Sequence, residues 1–303
     1  MTDDSQTGYE VEPKNPDRRG LRKGVYLLPS VFTAANIGMG FYAVMAAARG
    51  FQFVDDDQLK AASYFDNAAK AIGWALLFDM LDGRIARMTK TTTEIGVQLD
   101  SIADVVTFGL APAVLAYVWG YGATLKEGSD LHSLGWFLSF MYLMCGAFRL
   151  ARFNVQSSRP RILAEGTIKM DKKSFVGLPI PVAGGLIAAI IHFAPVPLIT
   201  YGPARAEIYS FLLMTLVGLL GVLMVSTLRF SSFKTVGTRS RSMRTIILAV
   251  GVGMLVFLYS RYVLLAIVVG YILNGLLSRL VLMFRRRPNV DDPGETSAEV
   301  KLL

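Results

Sequence analysis

The sequence predicts an all-α integral membrane protein: a polytopic helical bundle with about eight transmembrane helices and both termini in the cytoplasm. Three observations support this prediction. The 303-residue chain is 53% hydrophobic but only 18% charged, which is less charge than soluble domains carry. Several apolar runs reach the roughly 20 residues that a helix needs to cross a bilayer. Finally, basic residues are distributed unevenly among the segments that connect these runs.

Polar or basic stretches separate the apolar segments that we predict to be spans. The segments cover 30–49, 66–86, 97–120, 132–150, 178–195, 208–227, 244–260 and 262–284. Polar composition predicts disorder at the two ends of the chain, in 1–20 and 286–303. The predicted organisation is a cytoplasmic tail (1–24), a six-span core (25–235), two further spans (236–285) and a disordered cytoplasmic tail (286–303).

The distribution of basic residues predicts the orientation. If both termini are cytoplasmic, 24 of the 31 Lys and Arg residues lie in cytoplasmic segments, as the positive-inside rule requires. The first loop on the other side instead contains three consecutive aspartates, 55–57, which we interpret as a solvated loop. Near that side, Asp66 and Lys70 are four residues apart on one helix and are predicted to pair. We expect the lipid bilayer, and no nucleic acid, as the partner of this chain.

Cysteine and histidine are scarce, and this excludes some chemistry. Cys145 is the only cysteine, so an intramolecular disulfide is impossible and the residue is interpreted as a small core side chain. The two histidines, His132 and His192, both lie near span ends. A metal site built from histidines is therefore not expected.

Four aspartates interrupt the apolar pattern at the cytoplasmic ends of the second and third spans: Asp79, Asp82, Asp100 and Asp104. The first two are three residues apart and the last two are four apart, so each pair shares a helix face. The polar sequence RMTKTTT turns the chain between them, and Thr91 with Glu94 forms a capping box that predicts a helix start. The pattern predicts an antiparallel hairpin whose two acidic faces oppose each other.

Four carboxylates at a membrane edge repel each other and lose hydration, so positive charge must compensate them. Salt bridges with Arg84, Arg87 and Lys90 are one explanation. The alternative is divalent cations, because oxygen-only clusters suit Mg²⁺, Mn²⁺ or Ca²⁺, and four carboxylates can hold two ions that act on a phosphoryl group. Small residues beside the acids would let a phosphate or nucleotide approach the backbone. These small residues are Gly83, Ala86 and Gly96.

The spacing of this stretch resembles the signature of the CDP-alcohol phosphatidyltransferases at every fixed position. In this sequence the signature is Asp79-x2-Asp82-Gly83-x2-Ala86-Arg87-x8-Gly96-x3-Asp100-x3-Asp104. The resemblance implies a membrane-embedded enzyme, usually a homodimer, that uses Mg²⁺ or Mn²⁺. Such an enzyme takes a CDP-linked lipid, transfers its phosphatidyl group to an alcohol and releases CMP.

The resemblance also implies roles within the stretch. The four aspartates would hold the metal, two ions per site being expected. Asp104 would in addition be the general base, which is required because the pKa of an alcohol is too high for attack unaided. The residues implied at the CDP site are Gly83, Ala86, Arg87 and Gly96.

Four further stretches resemble the phosphatidylserine synthases of the bacterial and archaeal membrane type. They are LLPSVFTAANIGMGF (27–41), FRLARFN (148–154), FVGLPIPVAG (175–184) and LMVSTLRFSSFK (223–234). With the acidic signature, the resemblance covers roughly residues 25 to 235. It implies transfer from CDP-diacylglycerol to the hydroxyl of L-serine, which gives phosphatidylserine and CMP. The enzyme would lie in the cell (inner or plasma) membrane with its active site on the cytoplasmic side.

Basic residues in these stretches are candidates for binding the acceptor or the lipid phosphate. Arg149 and Arg152 lie at the inner end of the fourth span, and guanidinium groups suit both carboxylates and phosphates. Arg229 and Lys234 could reach the lipid phosphate. For all four residues, anchoring by the positive-inside rule is the alternative interpretation.

Two other functions stay open at this stage. The same chemistry could use another acceptor, such as glycerol phosphate, an inositol compound or choline. A cation-coupled transporter is the alternative from a different class, because intramembrane acids often mark ion pathways. A transporter would place its acids near the bilayer midplane in two related halves, whereas here they lie at one edge and no internal repeat is visible.

Overall fold

The computed structural model describes the backbone of residues 17–89, 94–158, 174–231, 258–275 and 277, and the side chains of 31–85, 95–155, 177–228, 258–275 and 277. The helices are α1 (Asp17–Gln52), α2 (Gln58–Thr89), α3 (Glu94–Asp104), α4 (Ala111–Ala116), α5 (Gly122–Thr124), α6 (Asp130–Ser158), α7 (Ile180–Phe193), α8 (Pro203–Val225) and α9 (Leu258–Gly275). Because α1 begins at Asp17, the predicted amino-terminal disorder is wrong for residues 17–20. Thr91 of the predicted capping box and the tail 286–303 lie outside the described residues.

Helices long and apolar enough to cross a membrane confirm the predicted class, a helical membrane protein. By length and composition, five such segments occur within the described residues: Val31–Gln52, Ile95–Thr124, Asp130–Val155, Pro203–Val225 and Leu258–Gly275. Helix α2 has 32 residues and is about 48 Å long, but it is not among these five segments. Helix α7 is shorter, with 14 residues. Eight spans and cytoplasmic termini stay predictions, and the span predicted at 244–260 lies mostly outside the described residues.

The third span is one helical run with two π-helical segments, Val105–Leu110 and Tyr117–Tyr121, on either side of α4. Pro112 lies at the start of α4, and proline has no N–H to donate to the carbonyl of Phe108 one turn earlier. The hydroxyl of Tyr142 on α6 donates to that carbonyl instead, at 3.0 Å. A neighbouring helix therefore supplies a hydrogen-bond donor to a backbone carbonyl where the helix is irregular. Irregular helices are tolerated inside a membrane when neighbours bond their backbone groups in this way.

Helices α1 and α2 pack closely because small residues face each other. Ala43 and Ala47 on α1 and Ala61 and Ala68 on α2 are completely buried, and alanine lets helix backbones approach closely. At Gly50, a Cβ atom would lie 2.8 Å from the ring of Phe65. Because these two helices pack closely, the part of α2 that contains Asp79 and Asp82 has a fixed position beside α1.

A short antiparallel ribbon departs from the predicted all-α fold. Strands β1 (Ser174–Val176) and β2 (Arg229–Ser231) pair with Phe175 opposite Phe230. Three-residue strands are too short to show an alternating pattern, so the ribbon could not be predicted from the sequence. It forms where the chain enters α7 and leaves α8: the N–H of Gly177 donates to the carbonyl of Leu228 at 2.7 Å.

Candidate active site

Three of the predicted aspartates form one cluster. Asp79 on α2 and Asp100 and Asp104 on α3 each offer a carboxylate oxygen, and these oxygens lie within 4.8 Å of one another. All three side chains are partly buried. We call these three residues the carboxylate cluster, and the end of the bundle that contains it the acidic end. The antiparallel arrangement of α2 and α3 brings the acids together across the hairpin.

Asp82 lies beside the cluster and is held by α1. Its side chain is 6% exposed, and the hydroxyl of Thr33 donates a hydrogen bond to its carboxylate. The charge of Asp82 also acts on Asp100. The fourth acid therefore belongs to the same site but has a protein partner of its own.

The donors at the acidic end suit a hard divalent cation. All of them are carboxylate oxygens, the ligands that Mg²⁺ and Mn²⁺ prefer. The Oδ1 atom of Asp104 is buried and has no hydrogen-bond partner in the protein, and a buried acceptor without a donor is unfavourable unless something else binds it. Like charges at this spacing also require compensation. The residues therefore fit the predicted metal site.

A buried arginine on α6 interacts electrostatically with the cluster. Arg149 is 9% exposed, its Nε atom has no hydrogen-bond partner, and its positive charge acts on Asp104. Arg152, one turn later, has a different environment, because its Nη1 donates to the carbonyl of Val225 at 3.3 Å. Val225 ends α8, and arginine commonly satisfies the last carbonyls of a helix. Of these two candidates for the acceptor site, Arg149 is the one whose charge interacts with the cluster.

The remaining predicted site residues are described only in part. Gly83, on α2 directly after Asp82, is partly buried, and Gly96, in the first turn of α3, is exposed. Both lie at the acidic end. The side chains of Ala86, Arg87 and Arg229, and the whole of Lys90 and Lys234, lie outside the part of the chain that the structure describes.

Polar residues of α1 also belong to the site, although the sequence pattern did not mark them as site residues. Thr33 contacts Asp82, and one turn further Asn36 is 1% exposed with neither atom of its amide hydrogen-bonded. The backbone carbonyl of Asn36 accepts a hydrogen bond from Thr107 at 3.0 Å, which ties α1 to the third span. The sequence does contain one signal for them, because Thr33 and Asn36 are polar residues three positions apart in an apolar helix.

A second tie joins α6 to α3 next to the cluster. The amide of Asn154 donates to the hydroxyl of Ser101 at 2.9 Å, and that hydroxyl donates to the carbonyl of Val97 at 3.0 Å. Ser101 directly follows Asp100, so this contact fixes α3 where it presents its acids. Asn154 occurs in the stretch FRLARFN, but its partner could not be identified from the sequence.

The fold and the site define a helical membrane protein with a carboxylate centre at one end of its bundle. Comparison with known families identifies it further: the CDP-alcohol phosphatidyltransferase model matches residues 26–217. The chain belongs to this family. The matched region includes the carboxylate cluster, Thr33 and Arg149, and it ends before α9.

Several curated relatives of the chain are named CDP-diacylglycerol–serine O-phosphatidyltransferase. The protein of that name from Helicobacter pylori is 34% identical over 212 residues, which are 70% of this chain and 75% of the relative. The one from Methanocaldococcus jannaschii is 32% identical over 168 residues, 55% of this chain and 65% of the relative. The one from Saccharomyces cerevisiae is 32% identical over 160 residues, 53% of this chain and 51% of the relative.

Membership of this family confirms the resemblance predicted from the acidic signature and makes the chain an enzyme of phosphatidyl transfer. It also favours the enzyme hypothesis over a cation-coupled transporter. Since the relatives are named for serine, they bear on the choice of acceptor as well.

Proposed function

We propose that this chain transfers the phosphatidyl group of CDP-diacylglycerol to the hydroxyl of L-serine, giving phosphatidylserine and CMP. The observation that carries the proposal is the carboxylate cluster of Asp79, Asp100 and Asp104 within the family-matched residues. The names of the curated relatives support serine as the acceptor.

The four aspartates hold the metal in this proposal: Asp79, Asp82, Asp100 and Asp104. When bound, two Mg²⁺ or Mn²⁺ ions would supply charge neutralisation at the pyrophosphate and at the departing phosphate. The aspartates are already arranged to bind such ions, because they converge from two helices and the hydroxyl of Thr33 orients the Asp82 carboxylate.

Asp104 is the proposed base. The serine oxygen attacks the phosphorus of the phosphatidyl group, its proton passes to the Asp104 carboxylate, and the bond between that phosphorus and the CMP oxygen breaks. A positioned base is necessary because a neutral alcohol is a weak nucleophile. Asp104 is partly buried and its Oδ1 is fully so, and a serine held there meets less bulk water and so fewer competing nucleophiles.

Arg149 is the proposed partner of the serine carboxylate. Its guanidinium is buried at the acidic end, acts electrostatically on Asp104 and has an Nε–H with no hydrogen-bond partner. A guanidinium can bind a carboxylate with two parallel hydrogen bonds. Arg152, Arg229 and Lys234 are kept as candidates for the lipid phosphate. The proposed CDP site consists of Gly83, Ala86, Arg87 and Gly96.

The proposal places the enzyme in the cell (inner or plasma) membrane as a homodimer, with the acidic end on the cytoplasmic side. The basic loops predicted at that end support this orientation. The lipid tails of CDP-diacylglycerol can stay in the bilayer while serine arrives from the cytoplasm. The homodimer rests on the family resemblance alone, and chemical cross-linking in membranes tests it.

Release of CMP from CDP-diacylglycerol by the purified enzyme tests the function. We expect release to require serine and either Mg²⁺ or Mn²⁺, to stop with EDTA, and to return when the ion is restored. Labelled serine should appear in the lipid fraction. Unchanged release in EDTA would reject the metal site.

Another acceptor is the second candidate, since a guanidinium such as Arg149 binds phosphate as well as carboxylate. Glycerol phosphate, an inositol compound and choline, each supplied in place of serine, separate the two cases. Label in the lipid fraction from one of these alcohols, and none from serine, would reject serine as the acceptor.

A further inference from the structure

Buried polar atoms without hydrogen-bond partners are concentrated at the acidic end. Among the residues that the structure describes, such atoms belong to four side chains: Asn36, Asp104, Arg149 and Ser210. Ser210 is remote from the site, because it lies fifteen residues before Val225 on α8, about 22 Å along the helix. The other three lie at the acidic end. An unbonded buried polar group is unfavourable, so this concentration indicates that a ligand completes the acidic end.

The ionisable groups at the opposite end of the bundle are paired instead. Asp66 lies thirteen residues before Asp79 on α2, about 20 Å along the helix. Its Oδ1 atom is 2.5 Å from His192 Nδ1, and its Oδ2 atom is 2.7 Å from Lys70 Nζ, which confirms the predicted pair. These groups therefore have partners within the protein, at an end where the proposed chemistry does not take place.

Asn36 is the side chain at the acidic end that has the fewest bonds to the protein. It is 1% exposed, and both the oxygen and the nitrogen of its amide are without a partner. A carboxamide has two N–H donors and an acceptor oxygen, and burial of such a group without hydrogen bonds is costly. An apolar side chain would fill the same space without this cost. The amide is therefore suited to a ligand that comes from outside the protein.

Two contacts place Asn36 at the height of Asp104. The hydroxyl of Thr107 donates to the backbone carbonyl of Asn36 at 3.0 Å, and a Cβ at Gly40 would lie 2.9 Å from Thr107 Cα. From this close contact, Asn36 is four residues back along α1, about 6 Å towards the acidic end. Asp104 is three residues back along the third span, about 5 Å in the same direction. The two residues therefore lie at nearly the same height on neighbouring helices.

The side chains of Asn36 and Asp104 also share an interface. Asn36 is one turn from Gly40, and Asp104 is one turn from Thr107, so each lies on the face of its helix that makes the close contact. On both helices the side chains lean towards the amino terminus, which is the direction of the acidic end. The unbonded amide and the unbonded Oδ1 of Asp104 therefore border the same place between α1 and the third span.

L-Serine presents three polar groups to such a site, and two of them already have proposed partners. Asp104 takes the hydroxyl proton, and Arg149 binds the carboxylate. The ammonium group is on the carbon next to the one that carries the hydroxyl, so its acceptor must lie close to Asp104. The aspartates are poorly suited to this role, because their oxygens hold the metal ions in the proposed function. A neutral amide oxygen can accept from an ammonium N–H while the carboxylates stay on the metal.

We propose that Asn36 Oδ1 accepts a hydrogen bond from the ammonium group of the acceptor, and that this contact selects an amino acid over other alcohols. The inference rests on the proposed function and adds one residue to its acceptor site. Glycerol phosphate and inositol compounds have no ammonium group, and the ammonium of choline has no N–H to donate. Asn36 lies within the family-matched residues 26–217 but outside the acidic signature.

Replacement of the amide tests this contact. Asn36→Leu changes the size of the side chain little and should raise the KM for serine at least about tenfold, as expected when a hydrogen bond to a charged group is lost. Competitive inhibitors then identify the group of serine that is affected. The inhibition constant of L-alanine, which keeps the ammonium, should rise by a similar factor. That of 3-hydroxypropionate, which lacks the ammonium, should stay within about twofold. An unchanged KM for serine, or an equal rise for both inhibitors, would overturn the proposal.

Thermal unfolding distinguishes a ligand contact from a structural one. Without substrate, Asn36→Leu should unfold at the wild-type temperature or above it, because an apolar side chain replaces an unbonded buried amide. L-Alanine should raise the unfolding temperature of the wild type more than that of the variant. Asn36→Ala, which needs no additional space, should show the same selective loss of inhibition by L-alanine. A loss of stability in Asn36→Leu with unchanged inhibition by L-alanine would assign the amide to the fold and reject the proposal.

Two further variants are matched controls. Asn154→Leu removes an amide that lies at the same end but is bonded to Ser101. Ser210→Ala removes a buried unbonded hydroxyl far from the site. In both variants, the ratio of the inhibition constants of L-alanine and 3-hydroxypropionate should stay within about twofold of the wild-type ratio. If Asn154→Leu shifts this ratio as much as Asn36→Leu does, the effect is not specific to Asn36 and the proposal is rejected.

The ammonium contact and the proposed function can fail separately. If the wild type transfers labelled serine to lipid but Asn36→Leu shows no selective change, the ammonium contact is rejected and the proposed function stands. If the wild type labels lipid from glycerol phosphate, an inositol compound or choline and not from serine, the failure is that of serine as acceptor, and the ammonium contact is rejected with it.

Discussion

At the residue scale, the four aspartates of the site differ in the groups that surround them. Three carboxylates converge within 4.8 Å, whereas Asp82 accepts a hydrogen bond from Thr33. Asp104 has a buried oxygen with no partner in the protein and lies close enough to Arg149 for their charges to interact. These surroundings, rather than the sequence spacing, distinguish Asp104, the proposed base, from the other three aspartates.

Replacement of the proposed base should stop turnover. Asp104→Asn is expected to lower CMP release by about 10²–10⁴-fold, the usual contribution of a positioned base. Folding should be kept, because the change is nearly isosteric and removes like-charge repulsion. Asp56→Asn, at an exposed aspartate of the opposite loop, is the control and should retain full activity. A variant with more than about a tenth of the wild-type rate would exclude Asp104 as the base.

The contact of Thr33 with Asp82 predicts an effect from outside the acidic signature. Thr33→Val removes the hydroxyl with little change in shape and should lower kcat about 10–100-fold, as losses of partners that orient metal ligands do. Thr33→Ser keeps the hydroxyl and should retain most of the activity. The dependence of rate on Mg²⁺ concentration measures the cause, since the Val variant should need more of the ion. Equal rates for Val and Ser would contradict a role for this hydrogen bond.

At the element scale, the irregular third span depends on its neighbours. Pro112 has no N–H to donate to the carbonyl of Phe108, and the hydroxyl of Tyr142 on α6 donates to that carbonyl. Helix α7 then packs closely on the same turn, because a Cβ at Gly184 would lie 2.8 Å from the oxygen of Phe108. The acids at the start of this span are therefore held by contacts about one to two turns away from them.

Two adjacent glycines of α7 provide a matched test of that packing. Gly184→Ala should destabilise the protein by about 1–3 kcal/mol, because backbone atoms of Phe108 and the ring of Pro112 occupy the space. A Cβ at Gly185 meets nothing within 4 Å, so Gly185→Ala should be neutral or stabilise by up to about 1 kcal/mol. Thermal unfolding of both variants in the same detergent measures the difference. Equal unfolding temperatures would mean that α7 does not pack as described.

At the scale of the whole molecule, the bundle has two different ends. The acidic end carries the carboxylate cluster and Arg149, and the opposite end carries the pair of Asp66 and His192 and the acidic loop 55–57. The lateral surface exposes large apolar side chains, including Phe41, Trp74 and Phe211, as expected where lipid is the solvent. The function requires that the acidic end face the compartment that contains serine.

Orientation can be measured by cysteine labelling, since Cys145 is the only native cysteine. In a Cys145→Ala background, Asp56→Cys should react with a membrane-impermeant maleimide in intact cells. Thr92→Cys, placed between α2 and α3, should react only after the membrane is permeabilised. The opposite pattern would place the active site outside the cytoplasm and contradict the positive-inside assignment.

The class of the protein and its acids were predictable because they depend on local features. Apolar length predicts membrane helices, and helical spacing is enough to place Asp79 and Asp100 on facing stripes. The same reasoning could not rank Arg149 above Arg152, because both fit a basic anchor at a span end. The contact of Arg152 with Val225, far away in sequence, distinguishes them.

The sequence by itself determined that this chain is a helical membrane protein with an acidic site of the phosphatidyltransferase type, because span length, charge asymmetry and the spacing of the signature are local properties of the chain. Only the tertiary structure decided which residues support that site. Thr33 and Asn154 join it through contacts between distant segments. Such contacts depend on how helices pack, and packing follows from the shapes of many side chains together.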